Sequence, residues 1–155
     1  MKVKYNYYYD GDTREICHEI KQFNQECLEI MANYFLNQNI ITKDTILIPA
    51  PQHQGYSIYT KEIANIIEKE SGASVKDIIV CNPRKTLYEM KQNKEKQILN
   101  FHLKEELELT SSNIFLIDNV LDTGLTYLTC QKLFKQKIIP LVYGCTNKNL
   151  LVNKY

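Results

Sequence analysis

Apolar residues recur at steps of three and four from Ile16 through Ile20, Phe23, Cys27, Ile30, Met31, Tyr34 and Phe35. This spacing predicts one long amphipathic helix starting at Arg14 and ending within residues 37–39. A stripe of that length needs a sheet or another helix to cover it. The pattern then shortens. Residues 45–50 read Thr-Ile-Leu-Ile-Pro-Ala, an apolar run of the kind buried on both faces of a sheet, and Pro49 and Pro51 mark its passage into a loop. Ile63, Ile66 and Ile67 give residues 57–70 the buried face of a helix, Gly72 ends it, and residues 77–81 supply a further strand, completing a predicted β-α-β unit. Residues 82–97 are polar and positive without a period, which predicts a long mobile loop. Residues 114–117, Ile-Phe-Leu-Ile, are a second buried strand. They run into residues 118–126, after which Leu128, Leu133 and Phe134 suggest a helix and residues 138–145 a last strand. At the front of the chain, the tyrosine-rich residues 5–9 and the turn signal Asp10-Gly11 predict a short extended segment or hairpin set apart from the main sheet.

Strands alternating with helices imply an α/β fold, a mostly parallel open sheet flanked by helices with right-handed crossovers. The 155 residues fit a single domain over 1–155, leaving 1–12 and 146–155 as a minimal hood or as dimer elements. With 44% hydrophobic and 24% charged residues the chain is globular rather than disordered. Five cysteines, odd in number and never in a C-x-x-C pair, read as reduced core residues rather than as a disulfide framework or a zinc ribbon. The first residues carry no apolar signal region and no stretch approaches a membrane span, so a cytoplasmic location is expected.

Charge changes this picture. The net charge of +1 argues against binding a bulk polyanion such as nucleic acid. It is, however, the sum of −3 over residues 1–83 and +4 over residues 84–155. No acidic residue follows Asp122, whereas Lys132, Lys135, Lys137, Lys148 and Lys154 do, which describes either a solvated face or a field suited to one small phosphorylated ligand.

The candidate chemistry lies where the second buried strand ends. In an open parallel sheet, ligands sit outside the carboxyl ends of the strands, where loops and helix N-termini converge. Thr123-Gly124-Leu125-Thr126 leads into a helix, so backbone N–H groups, the positive helix end and two hydroxyls converge on one phosphate, and Gly124 lets the backbone approach it. Just upstream, Asp118 and Asn119 offer a carboxylate and an amide for sugar hydroxyls or a hydrated Mg²⁺. The plain structural alternative is a strand-turn-helix that favours Asp, Thr and Gly at its turn.

The run from Ile114 to Thr126 resembles the phosphoribosyl-pyrophosphate (PRPP) motif of type I phosphoribosyltransferases. The resemblance implies their Rossmann-like fold, Asp118 and Asn119 on the ribose hydroxyls and the metal shell, and Asp122, Thr123, Gly124, Leu125 and Thr126 around the 5′-phosphate. It implies Mg²⁺ carried by PRPP rather than by a dedicated protein site, with Asp118 and Asp122 as the catalytic residues. Asp122 corresponds to an acid proposed in the purine-salvage branch to deprotonate the incoming base; otherwise it caps the turn. The family usually has two adjacent acids, and Asn119 departs from this: an amide keeps a hydrogen bond to a hydroxyl but balances neither a metal nor an oxocarbenium-like charge.

More of the chain is similar to the competence protein ComF type of phosphoribosyltransferase: Tyr9-Asp10-Gly11 before an Arg-started helix, the Pro49-Ala50-Pro51 strand end, Arg84-Lys85-Thr86 and residues 96–101 with Asn100. The four-cysteine zinc module of that type is missing. Gln54 stands where an arginine is usual before the Gly-aromatic pair, and Lys96 or Gln97 where one is usual ahead of Asn100. By this likeness Gln52, His53 and Gln54 bind pyrophosphate, and Arg84, Lys85 and Lys91 belong to a mobile segment that closes over it. The alternatives are a solvated His53 and a solvated linker. The tyrosines of residues 5–9 either stack a nucleobase or serve strand and dimer packing.

The expected activity is a Mg²⁺-dependent transfer of phosphoribose from PRPP to a nucleobase-like acceptor with release of pyrophosphate, without a membrane and with a homodimer as the assembly. The competing readings are a PRPP-binding regulator without turnover, motivated by Asn119, and an accessory protein of DNA uptake.

Overall fold

The computed structural model describes residues 7–106, 108–110 and 113–147. Tyr5, Lys148, Lys154 and most of the expected second hood element, 146–155, lie outside these. The chain opens with strand β1 (Tyr7–Tyr8) and helix α1 (Gly11–Glu19). The expected long helix is then broken in two. Residues Ile20–Gln22 tighten into a single 3₁₀ turn, Phe23 adopts a left-handed conformation with φ of +57°, and Asn24 caps a new helix, α2 (Gln25–Gln38), by accepting the Cys27 N–H at 3.2 Å. The apolar stripe breaks at the same place, since Ile20 is fully buried while Phe23 is 52% exposed. A left-handed residue with a Cβ costs about 1–2 kcal/mol, so Phe23→Gly is expected to raise stability by about 1 kcal/mol in urea unfolding after allowing for glycine's own entropy. A loss of stability would show that the Phe23 ring holds the corner.

Strand β2 (Ile46–Pro49), helix α3 (Tyr59–Ser71) and strand β3 (Ser74–Val75) form the β-α-β unit. The sheet partner is therefore residues 74–75 and not the expected 77–81. That later run contains β4 (Ile79–Cys81), which pairs antiparallel with β5 (Phe101–Leu103) in a separate ribbon. Asp77 marks the departure from the sheet, accepting the Ser57 hydroxyl at 2.6 Å and facing the ammonium groups of Lys61 and Lys104 at 3.3 and 3.5 Å. Between β4 and β5 lies α4 (Leu87–Gln92), so the segment expected as a structureless loop has helix in it.

The chain then enters the sheet again as β6 (Ile114–Ile117), followed by β7 (Val120–Leu121), helix α5 (Leu125–Gln131), β8 (Ile139–Leu141) and β9 (Gly144–Cys145). The main sheet has the order β3-β2-β6-β8 and is parallel throughout, as an α/β fold requires. Past Ile117 and Leu141 the adjacent strands β6 and β8 bend and resume as β7 and β9, where β1 adds at the edge in a second parallel sheet of order β1-β9-β7. No residue is gained or lost at the bend, because Ile117 faces Leu141 and Val120 faces Gly144.

Both faces of the main sheet are apolar, as expected for parallel strands covered on both sides. Leu47, Phe115, Ile117 and Leu141 pack under α2 and α3 against Met31, Phe35, Ile63 and Ile67. Ile46, Ile48, Ile114 and Leu116 point the other way, to Ile79, Cys81, Phe101, Cys130 and Ile138. All five cysteines are free, and burial pushes the Cys17 thiol up to about 12, which keeps it protonated and unreactive. Beside β1 the Tyr7 ring packs on Tyr34 at 5.4 Å and on Tyr143 at 5.1 Å, and Tyr34 meets Tyr143 edge-on at 5.4 Å. Tyr7 thus serves packing within the chain. No helix among the described residues is long and apolar enough to cross a membrane.

Candidate functional site

Strand order alone picks out one place. From β2 the chain crosses to β3 on one side and later returns to β6 on the other, so the carboxyl ends of β2 and β6 flank a topological switch point, where loops diverge and leave a crevice. The loop after β2 carries Gln52, His53 and Gln54; the segment after β6 carries Asp118 to Thr126. The two are stitched at their roots, with the Ala50 N–H donating to the Ile117 carbonyl at 2.9 Å.

A small cleft of about 50 Å³ opens over β6 and the start of α5. Asp118, Asp122, Thr123, Gly124, Leu125 and Thr126 line it, with Tyr127, Pro140 and Val142 on its apolar side and Leu87 of α4 across it. Gly124 caps α5 with φ of +83°, a conformation that glycine adopts freely and that turns the chain sharply into the helix. The N–H groups of the first turn have no intrahelical partner, and Leu125 N–H meets the Thr123 hydroxyl at 3.3 Å. Asp122 is exposed and one of its carboxylate oxygens accepts the Thr146 hydroxyl, which orients it from β9.

Asp118 is the half-buried acid of the site. Removal from water pushes its carboxyl up to about 6, against the Asn119 N–H that donates to it at 2.8 Å and the positive charges of Lys21 and Arg84. The carboxyl can therefore both accept from hydroxyls when ionised and exchange a proton near neutral pH.

Asn119 does not line this cleft. Its residue is buried and its backbone carries the bend of the sheet: the carbonyl accepts the N–H groups of Tyr143 at 3.1 Å and Gly144 at 3.0 Å, and the Cys17 thiol lies 3.9 Å away. Of the expected pair, Asp118 lines the cleft and Asn119 does not.

The loop expected to bind pyrophosphate is anchored from within. Gln52 is buried, donates to the Ala50 carbonyl at 2.7 Å and the Thr60 hydroxyl at 3.1 Å, and accepts the Ile58 N–H, so its amide braces the loop. Gly55, with φ of +111°, passes so close to β4 that its carbonyl accepts the Cys81 N–H at 2.9 Å. The Arg84 N–H donates to the His53 carbonyl at 2.8 Å, which brings Arg84 to the same loop. The Arg84 guanidinium stands over the Phe101 ring at 5.9 Å and donates to the Lys85 carbonyl at 3.0 Å, while its Nε is buried without an acceptor among the described residues. His53 is half-buried and Gln54 exposed.

Lys85 and Lys91 make no hydrogen bond to this loop among the described residues. The Lys85 ammonium pairs with Glu95 at 2.5 Å, and exposed Lys91 falls in the last turn of α4. That helix is started by a capping box in which the Glu89 N–H donates to the Thr86 hydroxyl at 3.1 Å and the Thr86 N–H donates to the Glu89 carboxylate at 2.8 Å. The T-x-x-E spacing is visible in the sequence and is the signal that marks α4. One further group lies beside the residues of the site without any motif to announce it: Thr146, whose hydroxyl donates to the Asp122 carboxylate.

Among the described residues no three His, Cys, Asp or Glu side chains converge to hold a metal ion. The arrangement offers a turn into a helix beside one half-buried carboxylate, and a braced loop to which Arg84 is hydrogen-bonded. Comparison with protein-family models, curated proteins and solved structures finds no match to this chain.

Proposed function

We propose that this chain is a type I phosphoribosyltransferase that binds PRPP at residues 118–126 and transfers its ribose phosphate to a nitrogenous base, releasing pyrophosphate. The observation that carries the reading is the gathering of Asp118 with residues 122–126 in one cleft at the switch point of a parallel sheet. Residues 122–126 hold the 5′-phosphate with N–H groups and hydroxyls, and ionised Asp118 accepts from the ribose hydroxyls. Arg84, tied to the loop after β2, neutralises the departing pyrophosphate, and α4 covers the cleft with Leu87 and keeps water from the reacting carbon. Asp122, held by Thr146, takes the proton of the incoming base.

The donors suit a Mg²⁺ ion that arrives with PRPP, since two carboxylates, half-buried Asp118 and exposed Asp122, line the cleft. Asp118 would hold it, and the ion would supply charge neutralisation at the diphosphate.

A second reading, a PRPP-binding regulator without turnover, is favoured by Asn119, which is an amide and does not line the cleft. The two separate in one experiment. PRPP is titrated into the protein with and without Mg²⁺, and pyrophosphate release is then assayed over purine and pyrimidine bases. Saturable binding with turnover on one base supports the transferase, binding without turnover on any base leaves the regulator, and absence of binding removes both. In the transferase, Asp122→Asn slows release by about 10²-fold while PRPP affinity stays within about threefold; equal rates would take the proton-accepting role from Asp122.

A further inference from the structure

The lysines that follow Asp122 in the sequence are carried away from the phosphate cleft. Helix α5 leaves the carboxyl end of the sheet and returns the chain to the opposite end, so Lys135 and Lys137 lie just ahead of β8, where the parallel strands begin. Between them, the side-chain amide of Gln136 donates to the Leu109 carbonyl at 2.8 Å and ties this turn to the segment entering β6.

At the same end the molecule has a second and larger cavity, of about 580 Å³. Lys43 and Asp44 line it from the turn ahead of β2, Ser74 and Lys76 from β3 and the residue after it, and Thr110 from beside Leu109. Backbone hydrogen bonds fix these walls: the Ser74 N–H donates to the Thr45 carbonyl at 2.9 Å, the Lys76 N–H to the Leu47 carbonyl at 2.8 Å, and the Ile46 N–H to the Asn113 carbonyl at 2.9 Å. The cavity is thus preformed, and its volume falls in the range of about 300–1,000 Å³ usual for small-molecule sites. No residue lines both this cavity and the cleft, and a strand length of roughly 13 Å separates them.

Among the described residues neither Lys43 nor Lys76 forms an ion pair, so two ammonium groups face one space. A phosphate dianion balances them and accepts hydrogen bonds from both, and from the hydroxyls of Ser74 and Thr110. Asp44 opposes a bare anion but accepts from hydroxyls, which favours a phosphate carried on a polyol over inorganic phosphate.

We propose that this cavity is a second ligand site, for a phosphorylated sugar, in which Lys43 and Lys76 hold the phosphate and Asp44 the sugar hydroxyls. Its residues take no part in phosphoribosyl transfer, so it stands whether or not the cleft binds PRPP.

Lysine acetylation of the full chain, read residue by residue in a mass spectrometer, tests it. The probes are glucose 6-phosphate and ribose 5-phosphate, with glucose and inorganic phosphate as controls. At saturation at least one sugar phosphate is expected to slow acetylation of Lys43 and Lys76 about fivefold and to leave exposed Lys132 unchanged. Inorganic phosphate needs about tenfold more ligand for the same protection, and glucose gives none. Lys43→Met, at an exposed position, raises the concentration that protects Lys76 about tenfold, whereas Asp118→Asn leaves it unchanged. The site is overturned by protection from neither sugar phosphate, by equal protection from glucose or inorganic phosphate, or by an unchanged Lys76 titration in Lys43→Met. Loss of protection in Asp118→Asn would equally overturn it, by assigning the effect to the cleft.

Discussion

Gly55→Ala is expected to lower stability by about 2–4 kcal/mol, a fall of roughly 5–15 °C in Tm for a chain of this size. A Cβ at residue 55 would stand 2.5 Å from the Cys81 carbonyl oxygen, a backbone atom that cannot turn aside, and the φ of +111° is strained for any residue with a side chain. Relief requires the loop after β2 to lift from β4, breaking the hydrogen bond from Cys81 N–H to the Gly55 carbonyl and loosening the one from Arg84 N–H to His53. PRPP affinity should therefore fall about tenfold even at temperatures where the variant is folded, because Arg84 loses its anchor. Thermal unfolding together with PRPP titration at 15 °C checks both parts. A Tm within about 2 °C of wild type would mean that the loop bends without leaving β4.

Asp118→Asn should move stability and binding in opposite directions. The native Asp118 pKa, about 6, lies above the ordinary value of 3.8, so the folded state holds the proton more tightly than the unfolded state. Its contribution to stability is largest below pH 3.8, is lost as pH rises through the window from 3.8 to 6, and is absent above it. Two pH units correspond to about 3 kcal/mol. At pH 8 the amide variant is accordingly expected to be more stable than wild type by about 1–3 kcal/mol, and the difference should vanish below pH 4. Binding runs the other way. An amide cannot replace the ionised carboxylate as a charged acceptor for two hydroxyls, so PRPP affinity should drop about 100-fold at pH 8. On the phosphoribosyltransferase reading, wild-type affinity should fall by up to about tenfold for each pH unit below 6, and in Asp118→Asn this pH dependence should disappear. Urea melts and PRPP titrations at pH 5, 6, 7 and 8 give both profiles. A variant less stable at pH 8 would show that Asp118 is held by favourable contacts, not by an unfavourable burial.

The parts of the fold that could be read from the sequence are those where one local signal has no rival. The strands at residues 46–49 and 114–117 are short, apolar and bounded, and α3 ends at the glycine that follows Ser71. The break at Phe23 was hidden because the apolar spacing keeps its rhythm across a backbone reversal, and only Asn24, a good cap in a helix-like run, hints at it. The pairing of residues 79–81 was beyond reach for another reason. An apolar triplet says that a strand is buried, while its partner is chosen by long-range contacts such as those of Asp77 with Lys61 and Lys104. The site divides likewise. Residues 122–126 are contiguous and turn together, so their sequence order is their spatial order. Arg84 reaches the His53 carbonyl only through the folding of the segment after β4 onto the loop after β2, and no spacing records that.

The tyrosine cluster beside β1 has a use outside chemistry. The chain contains 11 tyrosines and no tryptophan, so its near-ultraviolet optical activity and its intrinsic emission arise from tyrosine alone or nearly so. Tyr7, Tyr34 and Tyr143 are held ring to ring where β1, α2 and the bend before β9 meet. Their mutual orientation is chiral and fixed only while the N-terminal strand stays docked, whereas far-ultraviolet signals report on helices and strands anywhere in the molecule. The protein therefore carries its own label for seating of β1, one that can be followed during ligand titration without attaching a dye.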